Sequence, residues 1–150
     1  MKRIVIATDG SDGGWAAVEE GIELAAEVGA EVTFVTVRPR ISSLLGDALF
    51  QHQLTEQLTL ARAALDPAED AARRVGVDCE SDILEGDAAE RIAQAARGWS
   101  ADLVVVGSRG HGSVTSAVIG SVSRALLTRS PAPVMVVRTS IRTTAAARHP

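Results

Sequence analysis

The stretch that decides the fold is "RIVIATDGSDGG", which runs from Arg3 to Gly14. Its first half, Arg3 to Thr8, is a compact β-branched run without polar alternation, which is typical of a strand buried on both faces. The acidic, glycine-rich second half interrupts this run. Apolar residues then recur at helical spacing from Trp15 to Val28, and Gly29 is a suitable residue to end a helix. The chain therefore begins with a predicted strand, turn and helix.

The same unit recurs along the rest of the chain. Further strands are predicted at residues 31–37, 77–84, 102–107 and 134–138, and further helices at 47–76, 87–99 and 121–128. Strands that alternate with helices run parallel, with right-handed connections between them. We therefore predict an α/β fold, an open, doubly wound, Rossmann-like sheet of five parallel strands with helices on both faces.

Local patterns refine this prediction. Residues 77–84 alternate between apolar and acidic, which favours a half-exposed edge strand, whereas residues 102–107 are continuously apolar and should be central. Pro67 is expected to kink or break the long second helix, because proline removes a helical donor. Asp87 is a suitable N-cap for the third helix. Trp15 and Trp99 fall at helical apolar positions, and we expect both in the core.

Composition excludes several classes of function. The chain has 150 residues, 46% of them hydrophobic, and a net charge of −4, so a single globular domain is expected. The arginines are scattered without a basic stripe, which argues against a nucleic-acid partner. Cys79 is alone, and the three histidines lack metal-ligand spacing, so neither a disulfide nor an intrinsic metal site is predicted. No apolar run reaches membrane-spanning length, and we expect a soluble, cytoplasmic protein.

Ligands of doubly wound sheets bind at the carboxyl ends of the strands. Three segments should meet there: the turn from Ala7, the end of the second strand at Val37, and "GSRGHGSVTSAVIGSVS" from Gly107 to Ser123. Glycines let a phosphate approach the backbone, and the N–H groups that open the last helix point outward. The loop lacks the lysine of a Walker A motif. The alternative is that it only connects a strand to a helix that Ser121 caps.

The spacing Gly107-x2-Gly110-x9-Gly120-Ser121 resembles the ATP-binding signature of the universal stress protein family. The stretches "IVIATDGSDGGWAAVEEGIELA", "LEGDAAERIAQAA", "ADLVVVGSRG" and "GSVSRALLTRSPAPVMVVR" resemble that family too, so the likeness covers roughly residues 2–138. It implies one nucleotide-binding domain over residues 1–138, strand order 3-2-1-4-5, a homodimer and bound ATP. Residues 139–150 have little to bury and are expected to fray.

The resemblance also implies a role for each matching residue. Ala7, Thr8 and Asp9 match the turn against the adenosine, Val37 the backbone contact to adenine, and Gly107 a position near the ribose. The matching phosphate-binding positions are Gly110, Gly120, Ser121, Val122 and Ser123. Asp9 would contact a sugar hydroxyl or a Mg²⁺ ion on the phosphates. Arg109 and His111 lie between the glycines, where the match assigns no role.

Phosphoryl transfer needs positioned cations and a group that orients the nucleophile, and the sequence shows no lysine in the loop, no acid–base pair and no second motif. The leading hypothesis is an ATP-binding, nucleotide-dependent regulatory protein of the stress response. The alternatives are a slow ATPase or adenylyl-transfer enzyme, and a structural dimer without nucleotide. The strand from Val134 to Arg138 would be an apolar, unprotected edge, so we expect a homodimer to form through it.

Overall fold

A computed structural model describes residues 1–108 and 119–139 of the chain. The strands are β1 (Arg3–Ala7), β2 (Glu31–Arg38), β3 (Cys79–Glu85), β4 (Leu103–Gly107) and β5 (Val134–Val137). The helices are α1 (Asp12–Val28), α2 (Asp47–Arg74), α3 (Ala88–Gly98) and α4 (Ser121–Arg129), and a short 3₁₀ turn (Ser43–Leu45) precedes α2. Gly110 and most of the C-terminal tail lie outside the described residues.

The strands form one five-stranded sheet in the order β3-β2-β1-β4-β5, with every pairing parallel. This confirms the predicted fold class and the order implied by the resemblance. β3 is an edge strand whose residues alternate between exposed and partly buried, as its sequence predicts. β4 is an interior strand buried along its whole length, although the middle position belongs to β1.

Two apolar cores cover the two faces of the sheet. Ile4 and Ile6 of β1 pack with α1 and α2, while Val5 and Ala7 pack with α3 and α4 on the opposite face. Successive side chains of a strand point to opposite faces, so a strand that is apolar at every position must be covered on both. The helices therefore take both sides, and α1, α3 and α4 begin at the carboxyl edge of the sheet.

Two local expectations are corrected. The break considered at Pro67 is wrong, since α2 continues from Asp47 to Arg74, because Leu65 and Ala68 on either side of it are fully buried and hold the helix on the sheet. A kink at Pro67 stays a prediction. Trp15 is not a core residue: 37% of its surface is exposed. The buried positions of the first turns of α1 are occupied by Gly13, Gly14 and other small residues instead.

Other local predictions are confirmed. Asp87 caps α3, and its carboxylate accepts a hydrogen bond from the Glu90 N–H at 3.0 Å. Gly29 ends α1 in the left-handed conformation at φ 71°. Trp99 is partly buried and packs against the core on the α3 face. Within the described residues, none of the helices combines the length and the apolar character needed to cross a bilayer.

Candidate functional site

A cleft of about 270 Å³ opens at the carboxyl edge of the sheet. It lies where β1, β2 and β4 end and where α1, α3 and α4 begin. The lining residues are Ala7, Thr8, Asp9, Gly14, Val35, Thr36, Val37, Ala88, Ile92, Val106, Gly107, Ser108, Gly120, Ser121, Val122 and Ser123. Clefts at this position of a doubly wound sheet are the usual ligand sites of the fold.

The cleft brings together the residues that the sequence singles out. Those lining it are Ala7, Thr8, Asp9, Val37, Gly107, Gly120, Ser121, Val122 and Ser123. They come from three segments that are far apart in the chain, and they meet because parallel strands end at one edge. The remaining predicted residue, Gly110, lies outside the described residues. Contact of any of these residues with a ligand stays a prediction.

The first turn of α4 faces the cleft without a side-chain cap. Gly120 is its N-cap, with φ −64° and ψ 162°, and it has no side chain that could accept a hydrogen bond from the helix. The Arg124 N–H donates to the Gly120 carbonyl at 3.0 Å and closes the first helical turn. The N–H groups of Ser121, Val122 and Ser123 precede that bond and have no acceptor within the helix. They and the helix dipole make this end of α4 suitable for an anion.

Two hydrogen bonds hold this helix start against β4. The Gly120 N–H donates to the Ser108 carbonyl at 2.6 Å, and the Ser123 hydroxyl donates to the Gly107 carbonyl at 2.5 Å. Ser123 is 2% exposed. The hydroxyl of Ser123 is therefore not available to donate to a ligand, because its one proton is used within the protein. Its backbone N–H remains part of the helix start.

The turn after β1 is held by its own side chains. The Asp9 carboxylate accepts hydrogen bonds from the Ser11 N–H at 2.9 Å and from the Ser11 hydroxyl. Ser11 is also the N-cap of α1 and accepts from the Gly14 N–H at 3.2 Å. A β-carbon on Gly14 would lie 2.6 Å from Thr8 Oγ1 and 2.8 Å from Asp9 Oδ1. The glycine is therefore required for α1 to begin this close to the cleft.

Comparisons with known proteins agree with this geometry. The profile described as "Universal stress protein family" matches residues 1–138. The chain belongs to the universal stress protein family. A universal stress protein of Thermus aquaticus, named for its position in the 3′ region of a QAH/OAS sulfhydrylase, is 36% identical over 139 residues, covering 92% of this chain and 99% of its own.

Solved universal stress proteins share the fold. Universal stress protein UspA from Lactobacillus plantarum is 23% identical with a TM-score of 0.79, and the match covers 91% of this chain and 97% of that one. A universal stress protein solved in complex with cAMP is 29% identical with a TM-score of 0.72, covering 93% and 98% of the two chains. The likeness to UspA establishes the fold alone. The second solved protein has the same fold and contains a bound nucleotide.

Sequence reasoning missed the apolar wall of the cleft in this universal stress protein. Ala88 and Ile92 of α3 line it together with Val35 and Val106, next to the predicted Val37. Ala88 and Ile92 are four residues apart, so they lie on one face of the helix, and the first turns of α3 begin at the same edge as the site. The predicted N-cap at Asp87 could have identified Ala88 and Ile92, because it places the start of α3 next to the end of β3.

Proposed function

We propose that this universal stress protein binds ATP in the cleft and acts as a nucleotide-dependent regulator of the stress response. The observation that carries the proposal is the start of α4, where Gly120 leaves the N–H groups of Ser121, Val122 and Ser123 without a cap. The phosphates would accept hydrogen bonds from these groups. Backbone donors at a helix N-terminus suit phosphate without any lysine.

The adenosine would occupy the rest of the cleft. Val35, Ile92 and Val106 offer an apolar surface to the base, and the backbone of Val37 lies at the end of β2 where it can exchange hydrogen bonds with a ring edge. Mostly apolar lining with a few polar groups is typical of small-molecule sites. The 29% identical universal stress protein in complex with cAMP supports an adenine nucleotide as the ligand class.

One lining residue, Asp9, has a side chain that could bind a Mg²⁺ ion on the phosphates. Asp9 supplies the sole carboxylate among the lining residues within the described part of the chain. Carboxylate oxygens combined with phosphate oxygens and water are the ligands that Mg²⁺ prefers. The ion would neutralise phosphate charge, and Asp9 would hold it, or a ribose hydroxyl, at the β1 turn. The proposal does not require the ion for binding of the base.

Holding ATP is favoured over consuming it. The donors at the helix start of α4 are backbone groups whose positions are fixed by the bonds to Gly107 and Ser108. Phosphoryl transfer needs positioned cations, and the lining residues within the described part of the chain include neither lysine nor arginine. The cell would then read the bound nucleotide through the conformation or the partner choice of the protein, which we place in the cytoplasm.

The test is the nucleotide content of freshly purified protein. Mass spectrometry of the denatured protein is expected to detect ATP, and calorimetric titration of nucleotide-free protein is expected to show saturable binding of ATP. Absence of both would contradict the proposal and leave a structural protein with an empty cleft. Release of ADP or pyrophosphate at more than about 1 s⁻¹ would point instead to an enzyme, since that is the low end of ordinary turnover.

A homodimer through β5 is a separate proposal. β5 forms one edge of the sheet and pairs with β4 alone among the described strands, so its outer backbone groups can pair with a second copy. A two-fold contact from Val134 to Arg138 would cover this edge. Light scattering at micromolar concentration is expected to give the mass of a dimer. A monomer mass under the same conditions would contradict it.

A further inference from the structure

Next to the cleft, on the side away from α4, the turn after β3 brings two arginines together. Gly86 occupies this turn with φ +126°, and its N–H donates to the Arg38 carbonyl at 3.0 Å, which ties the turn to the end of β2. Arg40 follows β2 two residues later, and Arg91 lies in the second turn of α3. The two side chains reach Gly86 from different elements.

Both guanidinium groups lie over the glycine. A β-carbon on Gly86 would be 3.0 Å from Nε of Arg91 and 3.6 Å from Nε of Arg40. The missing side chain is therefore what lets the two groups approach the same point. Two like charges so close together repel each other, and an anion bound between them would relieve this repulsion. We call Arg40 and Arg91 the arginine pair.

The nearby carboxylates are engaged elsewhere. Glu85 accepts from Nη2 of Arg38 at 2.7 Å, and Asp87 accepts from the backbone at the start of α3. Nη1 of Arg38 also donates to Gln57 at 3.3 Å. The two carboxylates that flank Gly86 in the sequence therefore serve Arg38 and the helix cap.

The arginine pair keeps donors without protein acceptors. Nη1 of Arg91 donates to Gln94 at 2.8 Å, but Nε of Arg91 is buried and has no hydrogen-bond partner. Arg40 is exposed, and across residues 1–108 and 119–139 its guanidinium has neither a hydrogen bond nor an ion pair. A buried guanidinium donor without an acceptor is costly, so an anion that displaced the groups covering Nε of Arg91 would gain a favourable hydrogen bond there.

We propose that the arginine pair is an anion-binding site for the phosphate of a phosphate monoester. Guanidinium groups match phosphate oxygens with two parallel N–H donors each, and two of them can surround one dianion. The pair is separate from the start of α4, because it lies beyond the ends of β2 and β3, whereas α4 follows β4 on the other side of β1. The site therefore goes beyond the proposed nucleotide function and does not depend on it.

The experiment records the arginine Nε–H signals of the full chain by ¹H–¹⁵N NMR during a titration with inorganic phosphate. A second titration uses a phosphoserine peptide and its unphosphorylated form, which distinguishes free phosphate from a phosphoprotein as the source. Sodium chloride at matched ionic strength is the control for screening. We expect saturable shifts of the Arg40 and Arg91 signals, assigned by their loss in the single variants Arg40→Lys and Arg91→Lys.

The variants give the expected size of the effect. Arg40→Gln/Arg91→Gln should weaken phosphate binding at this site about tenfold or more, since each charged hydrogen bond contributes substantially. The charge-matched control Arg74→Gln/Arg97→Gln changes two exposed arginines outside the cleft and should leave binding unchanged. The double variant lacks both Nε–H signals, so the Gly86 amide signal reports on the site in both double variants. Arginine shifts of the parent protein that do not saturate, or Gly86 shifts that are equal in both double variants, would overturn the proposal.

The same spectra separate this proposal from the nucleotide function. The amide signals from Ser121 to Ser123 report on the start of α4, and the Nε–H signals report on the arginine pair. Phosphate that shifts the α4 amides without affecting the arginine pair would overturn the second site and leave the first. Saturable arginine shifts in a protein that does not bind ATP would support the second site alone.

Discussion

The two ends of the sheet differ in how far their polar groups are satisfied by hydrogen bonds within the protein. At the amino end, the Asp102 carboxylate accepts from the N–H groups of Lys2 at 2.7 Å and Arg3 at 3.0 Å. The Arg3 side chain in turn pairs with Glu31 at 2.8 Å and donates to the Trp99 carbonyl at 3.0 Å. Donors and acceptors at this end satisfy each other, and the five residues join the starts of β1, β2 and β4.

At the carboxyl end, comparable donors lack acceptors among residues 1–108 and 119–139. The start of α4 has a glycine cap, and Nε of Arg91 lacks an acceptor. A helix at the same edge, α3, is capped by the Asp87 side chain in the ordinary way. The difference indicates that only particular positions at this edge have donors without acceptors. A ligand that accepted hydrogen bonds would stabilise the protein most at those positions. Substitutions at the two ends of the sheet test this contrast.

The largest expected effect comes from closing the start of α4. In Gly120→Asp the new carboxylate would cap the helix, accept the Val122 or Ser123 N–H, and repel phosphate. ATP affinity should fall about 100-fold, or about 3 kcal/mol, while the free energy of unfolding stays equal or rises by a few tenths of a kcal/mol. Calorimetric titration and urea unfolding measure the two quantities.

The control is the same substitution away from the cleft. Gly98→Asp adds an identical charge at the end of α3, where a side chain would meet nothing within 4 Å. Its ATP affinity should match that of the parent protein. If Gly120→Asp binds ATP as tightly as Gly98→Asp does, the start of α4 is not the phosphate site.

The next effect comes from two glycines of α1. A β-carbon on Gly14 would meet Thr8 and Asp9 at the cleft, whereas one on Gly21 would lie 2.3 Å from Ile6 Cδ1 in the core. Both Gly→Ala variants should lose about 1–3 kcal/mol of unfolding free energy through overpacking. ATP affinity should fall only in Gly14→Ala. Equal affinity in the two variants would remove the β1 turn from the site.

A smaller effect on the free energy of unfolding is expected at the start of α3, which the Asp87 side chain caps. Asp87→Ala removes the acceptor of the Glu90 N–H and should cost about 1 kcal/mol of unfolding free energy. Glu90→Gln, which keeps that N–H and changes an exposed side chain, should stay within about 0.5 kcal/mol of the parent. Urea unfolding separates the two. A neutral Asp87→Ala would mean that α3 begins without help from this carboxylate.

The smallest effect concerns pH at the amino end. Hydrogen bonds from the N–H groups of Lys2 and Arg3 lower the pKa of Asp102 below its ordinary value. A lowered folded-state pKa means stabilisation that is present above the unfolded-state pKa and lost as pH falls through the folded-state pKa. Asp102→Asn should therefore be less stable than the parent at neutral pH, and the gap should narrow in acid. A gap that is independent of pH would contradict this cause.

Most of the fold follows from the sequence because its signals are local. The apolar run at Arg3 to Thr8, the cap at Asp87 and the stop at Gly29 each act within a few residues. Parallel topology then places the ends of β1, β2 and β4 at one edge, which is why the residues predicted for the site line one cleft. The core prediction for Trp15 fails because helical spacing identifies an apolar stripe on α1 without showing which of its residues face the sheet.

The rest of the site depends on contacts between distant parts of the chain. The hydroxyl of Ser123 has the sequence context of a ligand donor, and only its distance to the Gly107 carbonyl assigns it to the protein. Arg40 and Arg91 count as scattered surface charge in the sequence. They become a pair because β2 and β3 end together and Gly86 leaves room between them. Side-chain convergence of this kind has no local pattern.

The length of α2 has a consequence for the dynamics of the molecule. The helix has 28 residues, but its buried residues begin only at Ala61, so about half of it extends beyond the support of the sheet. An isolated helix of that length is marginal in water. Amide hydrogens before Ala61 should therefore exchange with solvent orders of magnitude faster than those between Leu65 and Ala72, within one uninterrupted helix. One secondary-structure element thus contains two levels of local stability, and the less stable half lies at the same end of the molecule as the cleft.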